Sequence, residues 1–245
     1  MQEYEYSIVL SSRKVIKKVG EESILGKSYY NEDIWSIVGE ELKGKVEPGT
    51  TLYYEIVGYL PSGKMIQKDY DYNCDSGGNS VRKQITQQEL DKLNGFPTPN
   101  PENAPMYFSY VTKPEHKFLV YRITYTKPDG SVIEFSWQQI KDYCKKYTIE
   151  HVKKIAFGNL SDICYRNLGM NTQFSFEDNI FLDRLQSLYL EKDCKYCLNK
   201  VPAEGICIRI DGKETFSTFK LKSKRFLEKE TKELDTNTIN IEDEA

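Results

Sequence analysis

Nowhere in its 245 residues does the chain carry a run of about 18 apolar residues, the length a membrane-crossing helix needs. Its first residues, "MQEYEYSIVLSSRKVIKK", lack a basic segment followed by an apolar one, so no secretion signal is read there. Neither sign of charge is in large excess: 34 Lys and Arg stand against 37 Asp and Glu, a net charge of -3. A protein coated in basic charge is excluded, although a local basic groove can still hold nucleic acid. Cysteine is sparse, and six thiols in a chain of this length without a secretion signal read as reduced and cytoplasmic. Histidine is scarcer still. His116 and His151 lie far apart in sequence and have no serine or cysteine partner pattern. A phosphate loop is also missing, because five residues separate Gly20 from Gly26 of "GKS" where that motif has four between its glycines. No internal repeat is present.

What is there suits a soluble globular protein rich in strands: 39% apolar residues, 18 Tyr and 11 Phe. The length allows one large domain, or a domain with a helical annex. Strand-like runs occur at "YEYSIVL" (4–10), "TLYYEIVGYL" (51–60, ended by the turn "PSG"), "KFLVYRITY" (117–125), "VIEF", "GICIRI" (205–210) and "FSTFKLK" (216–222). Helical spacing appears in "NEDIWSIVGEEL", with Asn31 as expected N-cap, and in "SWQQIKDYCKKY", with a Ser136/Gln139 capping box. A third helix is expected in "SFEDNIFLDRLQSLYLEK" (175–192), with Ser175 and Asp178 at its mouth, inside a helical segment 159–200. Residues 71–108 read as a surface insertion, with a Thr86/Glu89 capping box, a Gly95 stop and prolines at 97, 99, 101 and 105. Residues 231–245 read as an acidic tail.

The most informative stretch is "PAEGICIRIDGKETFSTFKLKSKRF" (202–226). In "FKLK" the strand period of two puts Lys220 and Lys222 on one face, and Phe219 and Leu221 on the other. Two adjacent cations repel unless an anion sits between them, and a polyphosphate would serve. Glu204, entering the preceding strand, could hold a ribose hydroxyl or a divalent metal. Amphipathic alternation of this kind is also ordinary in a solvated hairpin. The cluster Lys220, Lys222, Lys224 and Arg225 could follow an RNA backbone, or its latter half could open a solvated helix. Cys194-x-x-Cys197 has metal-ligand spacing but no second pair nearby; a zinc site completed by Cys74 or Cys207 is weighed against free loop thiols, which are preferred.

"EGICIR" followed by "FKLKSKRF" resembles motifs IV and V of the covalent nucleotidyltransferases, which comprise ATP-dependent RNA ligases, DNA ligases and mRNA capping enzymes. "LYYEIVGY" resembles motif III, with Glu55 at its carboxylate; "FLVYRITY" resembles motif IIIa, with Tyr121 at its base-stacking aromatic; "SSRK" resembles motif Ia, with Arg13 at its arginine. The five run in the family's order, and their wording is most similar to RNA ligases. DNA ligases and capping enzymes usually continue into a further barrel domain, whereas about twenty mostly polar residues follow Phe226.

The resemblance implies an α+β adenylation domain of antiparallel sheets with flanking helices, the ATP-grasp-like catalytic core of ligases, over residues 1–230. It implies ATP and Mg²⁺ as cofactors and RNA ends as partners, in RNA repair or a related role away from membranes. By resemblance Arg13 contacts ribose or the RNA end, Glu55 and Glu204 hold metal or ribose, Tyr121 stacks on adenine, and Lys220 and Lys222 stabilise the phosphates. The family's nucleophile is the lysine of a K-x-D-G motif placed before motif Ia, yet no lysine precedes Arg13. The only K-x-D-G, Lys127-Pro128-Asp129-Gly130, is out of order, and its Pro-Asp-Gly reads as a turn with a solvated lysine. The expectation is therefore a ligase chain that lacks its nucleophilic segment and cannot adenylylate itself. The alternatives are one half of a split enzyme, whose missing N-terminal fragment another polypeptide supplies, and a non-catalytic nucleotide- or RNA-binding remnant.

Overall fold

The computed structural model describes residues 7–11, 16–18, 33–61, 63–72, 83–85, 107–109, 115–170, 180–213 and 215–235. The protein is mixed α/β, with small antiparallel sheets. Among the described residues no helix is long and apolar enough to cross a membrane.

The central sheet has the order β3-β6-β7, from β3 (Thr50–Gly58), β6 (His116–Thr126) and β7 (Val132–Glu134). Alternation decides its faces. Leu52, Tyr54, Ile56, Phe118, Val120 and Ile123 turn inward, and Val120 and Ile123 are fully buried. They pack on α1 (Ile34–Leu42) and α2 (Trp137–Tyr147), which contribute Val38, Leu42, Trp137, Ile140, Tyr143 and Cys144. The α2 positions recur at helical spacing, and the Ser136/Gln139 capping box is present with both of its hydrogen bonds. The N-cap of α1 is Asp33, which accepts from the Ser36 N–H, and not Asn31, which lies outside the described residues. An Asp two residues nearer the apolar run reaches the first free N–H groups, which Asn31 would overshoot.

β7 pairs with only Thr124–Thr126 of β6. Farther along that edge, Val120 donates to the Glu150 carbonyl and accepts from the Val152 N–H, which fastens the chain leaving α2 to the sheet. His151 there lies edge-on to Trp137, and His116 bonds Glu41 at 2.9 Å.

β1 (Val9–Ser11) pairs with β2 (Ile16–Lys18). Within the expected insertion, β4 (Lys83–Ile85) pairs with β5 (Tyr107–Ser109), a ladder not foreseen because each strand is only three residues long. Thr86, Glu89, Gly95 and the proline run lie outside the described residues. In sequence these residues lie between β3 and β6, which are neighbours in the central sheet.

A second layer is built on the hairpin of β8 (Gly205–Ile210) and β9 (Ser217–Lys222). Its apolar face, Ile206, Ile208 and Leu221, packs on Cys164 and Leu168 of α3 (Leu160–Leu168), on Met170, and on Phe181 and Leu185 of α4 (Ile180–Leu185). The helix expected over 175–192 is described from Ile180, runs into a π-helical turn at Gln186–Leu190, and leaves Ser175 and Asp178 outside the described residues. α5 (Lys224–Asp235) continues past residue 230, where the sequence suggested a tail.

Candidate functional site

The outward face of β3–β6 is opposite to its core face. Register pairs Glu55 with Leu119 and Tyr53 with Arg122, then shifts, because Tyr54 pairs with Val120. Tyr121 is thus the extra residue of a β-bulge, the device by which a strand re-aims a side chain. Its ring lies 6.5 Å from that of Tyr53.

The polar face of β8–β9 carries Cys207 opposite Lys220 and Arg209 opposite Thr218. Several contacts bring it to the central sheet. Arg209 bonds the Phe135 carbonyl and lies 3.6 Å from the Glu134 carboxylate. Glu134 also receives Arg122 at 2.9 Å, so one carboxylate with only 7% of its side chain exposed ties β6, β7 and β8 together. Phe216 is lodged with the Arg122 guanidinium 4.2 Å and that of Arg209 5.5 Å from its ring centre. Asp211 accepts from the Trp137 N–H at 2.9 Å, fixing the β8–β9 loop to the start of α2.

Glu204 and Lys220 meet on this face at 2.5 Å. Gly205 makes that possible. A Cβ at residue 205 would stand 1.9 Å from the Leu221 carbonyl oxygen, so only glycine lets β8 begin against β9 at this point. Glu204 is anchored from its own carbonyl, which accepts from the Ser223 N–H at 2.8 Å. Ser223 is fully buried; its hydroxyl donates to the Ala203 carbonyl at 2.7 Å and accepts from the Phe226 N–H at 3.1 Å.

Glu55 joins the same electrostatic neighbourhood from β3. Burial pulls the Lys220 ammonium toward deprotonation, but the hydrogen bond to Glu204 and the charges of Glu204, Cys207 and Glu55 outweigh it, holding its pKa above the usual value. The Cys207 thiol is pushed up by burial; Lys220 opposes this, while Glu204 and Glu55 add to it. Residues from three strands in two sheets therefore share one field.

Lys222 behaves differently. Its ammonium lies 2.9 Å from Glu230 of α5, above the Phe226 ring. The two lysines expected to need a bridging anion each have a carboxylate of their own. Arg225 pairs with Asp193 at 2.7 Å, and the backbone N–H groups of Lys224 and Arg225 donate to Glu191. The basic cluster is thus interleaved with acids. Both side chains of the Lys220–Glu204 pair remain about two-fifths to one-half exposed. Such a pair contributes at most about 1 kcal/mol, so an arriving anion can exchange for Glu204 at little cost. Arg13 lies outside the described residues.

Lys127 stands elsewhere. It is exposed at the head of the β6–β7 hairpin, where its N–H donates to the Ser131 carbonyl and its carbonyl accepts from the Gly130 N–H. Gly130 has φ +82°, and Asp129 accepts from both the N–H and the hydroxyl of Ser131. Lys127 is eight residues along β6 from Leu119, the partner of Glu55, which is roughly 25 Å of strand.

Among the described residues no group of three or more His, Cys, Asp or Glu is arranged to hold a metal ion. Cys194 and Cys197 are free thiols 3.4 Å apart; Cys207 is on β8 and Cys74 lies outside the described residues. Arg122, Glu134, Arg209 and Phe216 were not singled out from sequence. The only signal was alternation, which sets Glu134 of "VIEF" on the face opposite Ile133 and Arg209 two residues from Cys207.

Compared with protein-family models, curated proteins and solved structures, the chain matches none.

Proposed function

We propose that the chain is the nucleotide-handling part of an ATP-dependent RNA ligase, with an α+β adenylation domain, the ATP-grasp-like core, acting on ATP and RNA ends. The observation that carries this reading is the 2.5 Å pairing of Glu204 with Lys220, with Glu55 of the neighbouring sheet near enough for its charge to act on Lys220. They come from three separate sequence motifs, and Lys220 and Cys207 both feel the charge of Glu55 and Glu204. Tyr121, re-aimed by the bulge beside Tyr53, offers a ring for the adenine.

Lys220 releases Glu204 and turns to the phosphates, where a fixed cation offsets the charge that builds during transfer. Glu204 is then left to accept from a ribose hydroxyl. Lys222, held by Glu230, lies one strand pair farther along and meets the outer phosphates. Two carboxylates in one field suit Mg²⁺ arriving with phosphates, since that ion takes one or two carboxylates beside phosphate oxygens, and there it would spread phosphate charge. In the reaction that this reading implies, the nucleophile would be the amine of a K-x-D-G lysine other than Lys127, supplied in trans. It forms an N–P bond to the α-phosphorus as the bond to pyrophosphate breaks; AMP then passes to an RNA 5′-phosphate, and a 3′-hydroxyl displaces it. Lys127 has no part in this, being solvated in its turn.

The test is incubation with α-labelled ATP and Mg²⁺, alone and with an added K-x-D-G strand peptide. The expected result is no label that survives denaturing gel electrophoresis on the chain alone, label on the peptide when both are present, and sealing of nicked RNA. A second reading, a nucleotide- or RNA-binding remnant, is favoured by the exposed place of Lys127 and by the pairing of each motif V lysine with an acid. Nucleotide binding with no transfer to any supplied lysine would select it. Covalent label on Lys127 would overturn both readings.

A further inference from the structure

The segment before Glu204 holds a second constellation, which the nucleotide reading does not use. Cys194 and Cys197 flank the turn Lys195-Tyr196, with their sulfurs 3.4 Å apart and the Cys197 thiol donating to Cys194. The turn is held on all sides. Cys194 N–H donates to the Val201 carbonyl at 2.7 Å, Leu198 N–H to the Asp71 carbonyl at 2.8 Å, and Ala203 N–H to the Lys192 carbonyl at 2.8 Å. Asn199 accepts from the Asp71 N–H and donates to the Asp69 carbonyl. This framework keeps the sulfurs together.

The two sulfurs have unlike surroundings. On the Cys194 side the neighbouring Lys195 adds positive charge, and the Lys153 and Lys195 ammoniums sit 5.4 and 5.1 Å from the centre of the Tyr196 ring. The hydrogen bond from Cys197, with the N–H groups of Tyr196 and Cys197, holds the Cys194 thiol below its ordinary pKa. On the Cys197 side that same hydrogen bond, burial and the charges of Cys194 and the buried Asp71 push the thiol up. A partly buried thiol of lowered pKa in a positive setting, beside a thiol of raised pKa, is the asymmetry of an attacking and a resolving cysteine.

We propose that Cys194 and Cys197 form a reversible dithiol–disulfide site that exchanges with small-molecule disulfides, with Cys194 as the attacking sulfur and Cys197 as the resolving one. The Cys194 thiolate attacks one sulfur of a disulfide RSSR, forming a mixed disulfide and releasing RS⁻. Cys197 then loses its proton to solvent and attacks the Cys194 sulfur, releasing the second RS⁻. The net change is two protein thiols and RSSR converted to one intramolecular disulfide and two RSH. The sulfurs close from 3.4 Å to a bond of about 2.05 Å, a shift one turn can absorb.

The full chain is equilibrated in glutathione buffers of graded oxidised-to-reduced ratio, trapped with N-ethylmaleimide and weighed intact. The expected species has lost two hydrogens, escapes alkylation at the 194–197 peptide and reverts in reduced buffer. Cys197→Ser should stop at a glutathione adduct on Cys194, while Cys194→Ser gives no disulfide. Iodoacetamide should modify Cys194 faster than the other thiols, and should keep doing so below pH 8, because a lowered pKa keeps the thiolate populated as pH falls. Two outcomes overturn the proposal. One is full alkylation of both sulfurs at every ratio in a chain that circular dichroism shows folded. The other is one equivalent of zinc retained through dialysis and lost in both variants, which would make the pair metal ligands. Neither outcome bears on nucleotide binding.

Discussion

A Cβ placed on residue 205 would lie 1.9 Å from the Leu221 carbonyl oxygen and 2.9 Å from the Lys222 Cα, both backbone atoms that cannot swing away. Gly205→Ala should therefore part β8 from β9 at its first rung and draw Glu204 away from Lys220. The expected cost is more than about 2 kcal/mol of unfolding free energy in a urea titration, from overpacking against backbone and a strained φ. A change below about 0.5 kcal/mol would mean that the hairpin does not start as described. Lys127→Ala makes the opposite test. Exposed in its turn, Lys127 should change stability by no more than about 0.5 kcal/mol and leave nucleotide binding unaltered. The turn itself was legible from Pro-Asp-Gly, since each residue type supplies a local backbone preference. The pairing of Lys222 with Glu230 was not, because an eight-residue separation across a strand–helix junction depends on the angle at which α5 leaves Ser223.

At the scale of elements, capping chemistry was readable where it is local and lost where two candidates compete. The Ser136/Gln139 box opens α2 as its spacing implied, and Ser136→Ala should cost about 1 kcal/mol in thermal or urea unfolding. For α1 both Asn31 and Asp33 were eligible by type, and only the position of Ile34 as first helical residue selects Asp33. Strands β3 and β6 were legible from runs of aromatic and β-branched residues, but the bulge that re-aims Tyr121 depends on register between strands and leaves no local mark. The three-residue ladder β4–β5 falls below the length at which alternation can be seen.

For the whole molecule, the Glu134 carboxylate is the most buried of the polar contacts that join the two sheets, beside Asp211 at the Trp137 N–H and Arg209 at the Phe135 carbonyl. Glu134 receives Arg122 and Arg209 while its own side chain is 7% exposed, and Phe216 fills the space beside both guanidiniums. Removing the charge leaves Arg122 without its carboxylate and Arg209 with Asp211 alone, so Glu134→Gln should destabilise the fold by about 3 kcal/mol. The measurement is urea unfolding monitored by circular dichroism; a loss under about 1 kcal/mol would show that Glu134 does not hold the sheets together. This joint sets the distance between Glu55 on one sheet and Glu204 with Lys220 on the other. Sequence order brought those residues together as a set, whereas their sharing of one field comes from long-range contacts that no local pattern encodes.

Calorimetric titration of the full chain with ATP and Mg²⁺, beside Glu204→Gln and Lys220→Ala, tests the central claim most directly. One saturable site in the parent chain, displaced by AMP and weakened at least tenfold in each variant while Lys127→Ala binds normally, is the predicted result. No binding by the folded parent chain, or binding that both variants retain in full, would contradict it.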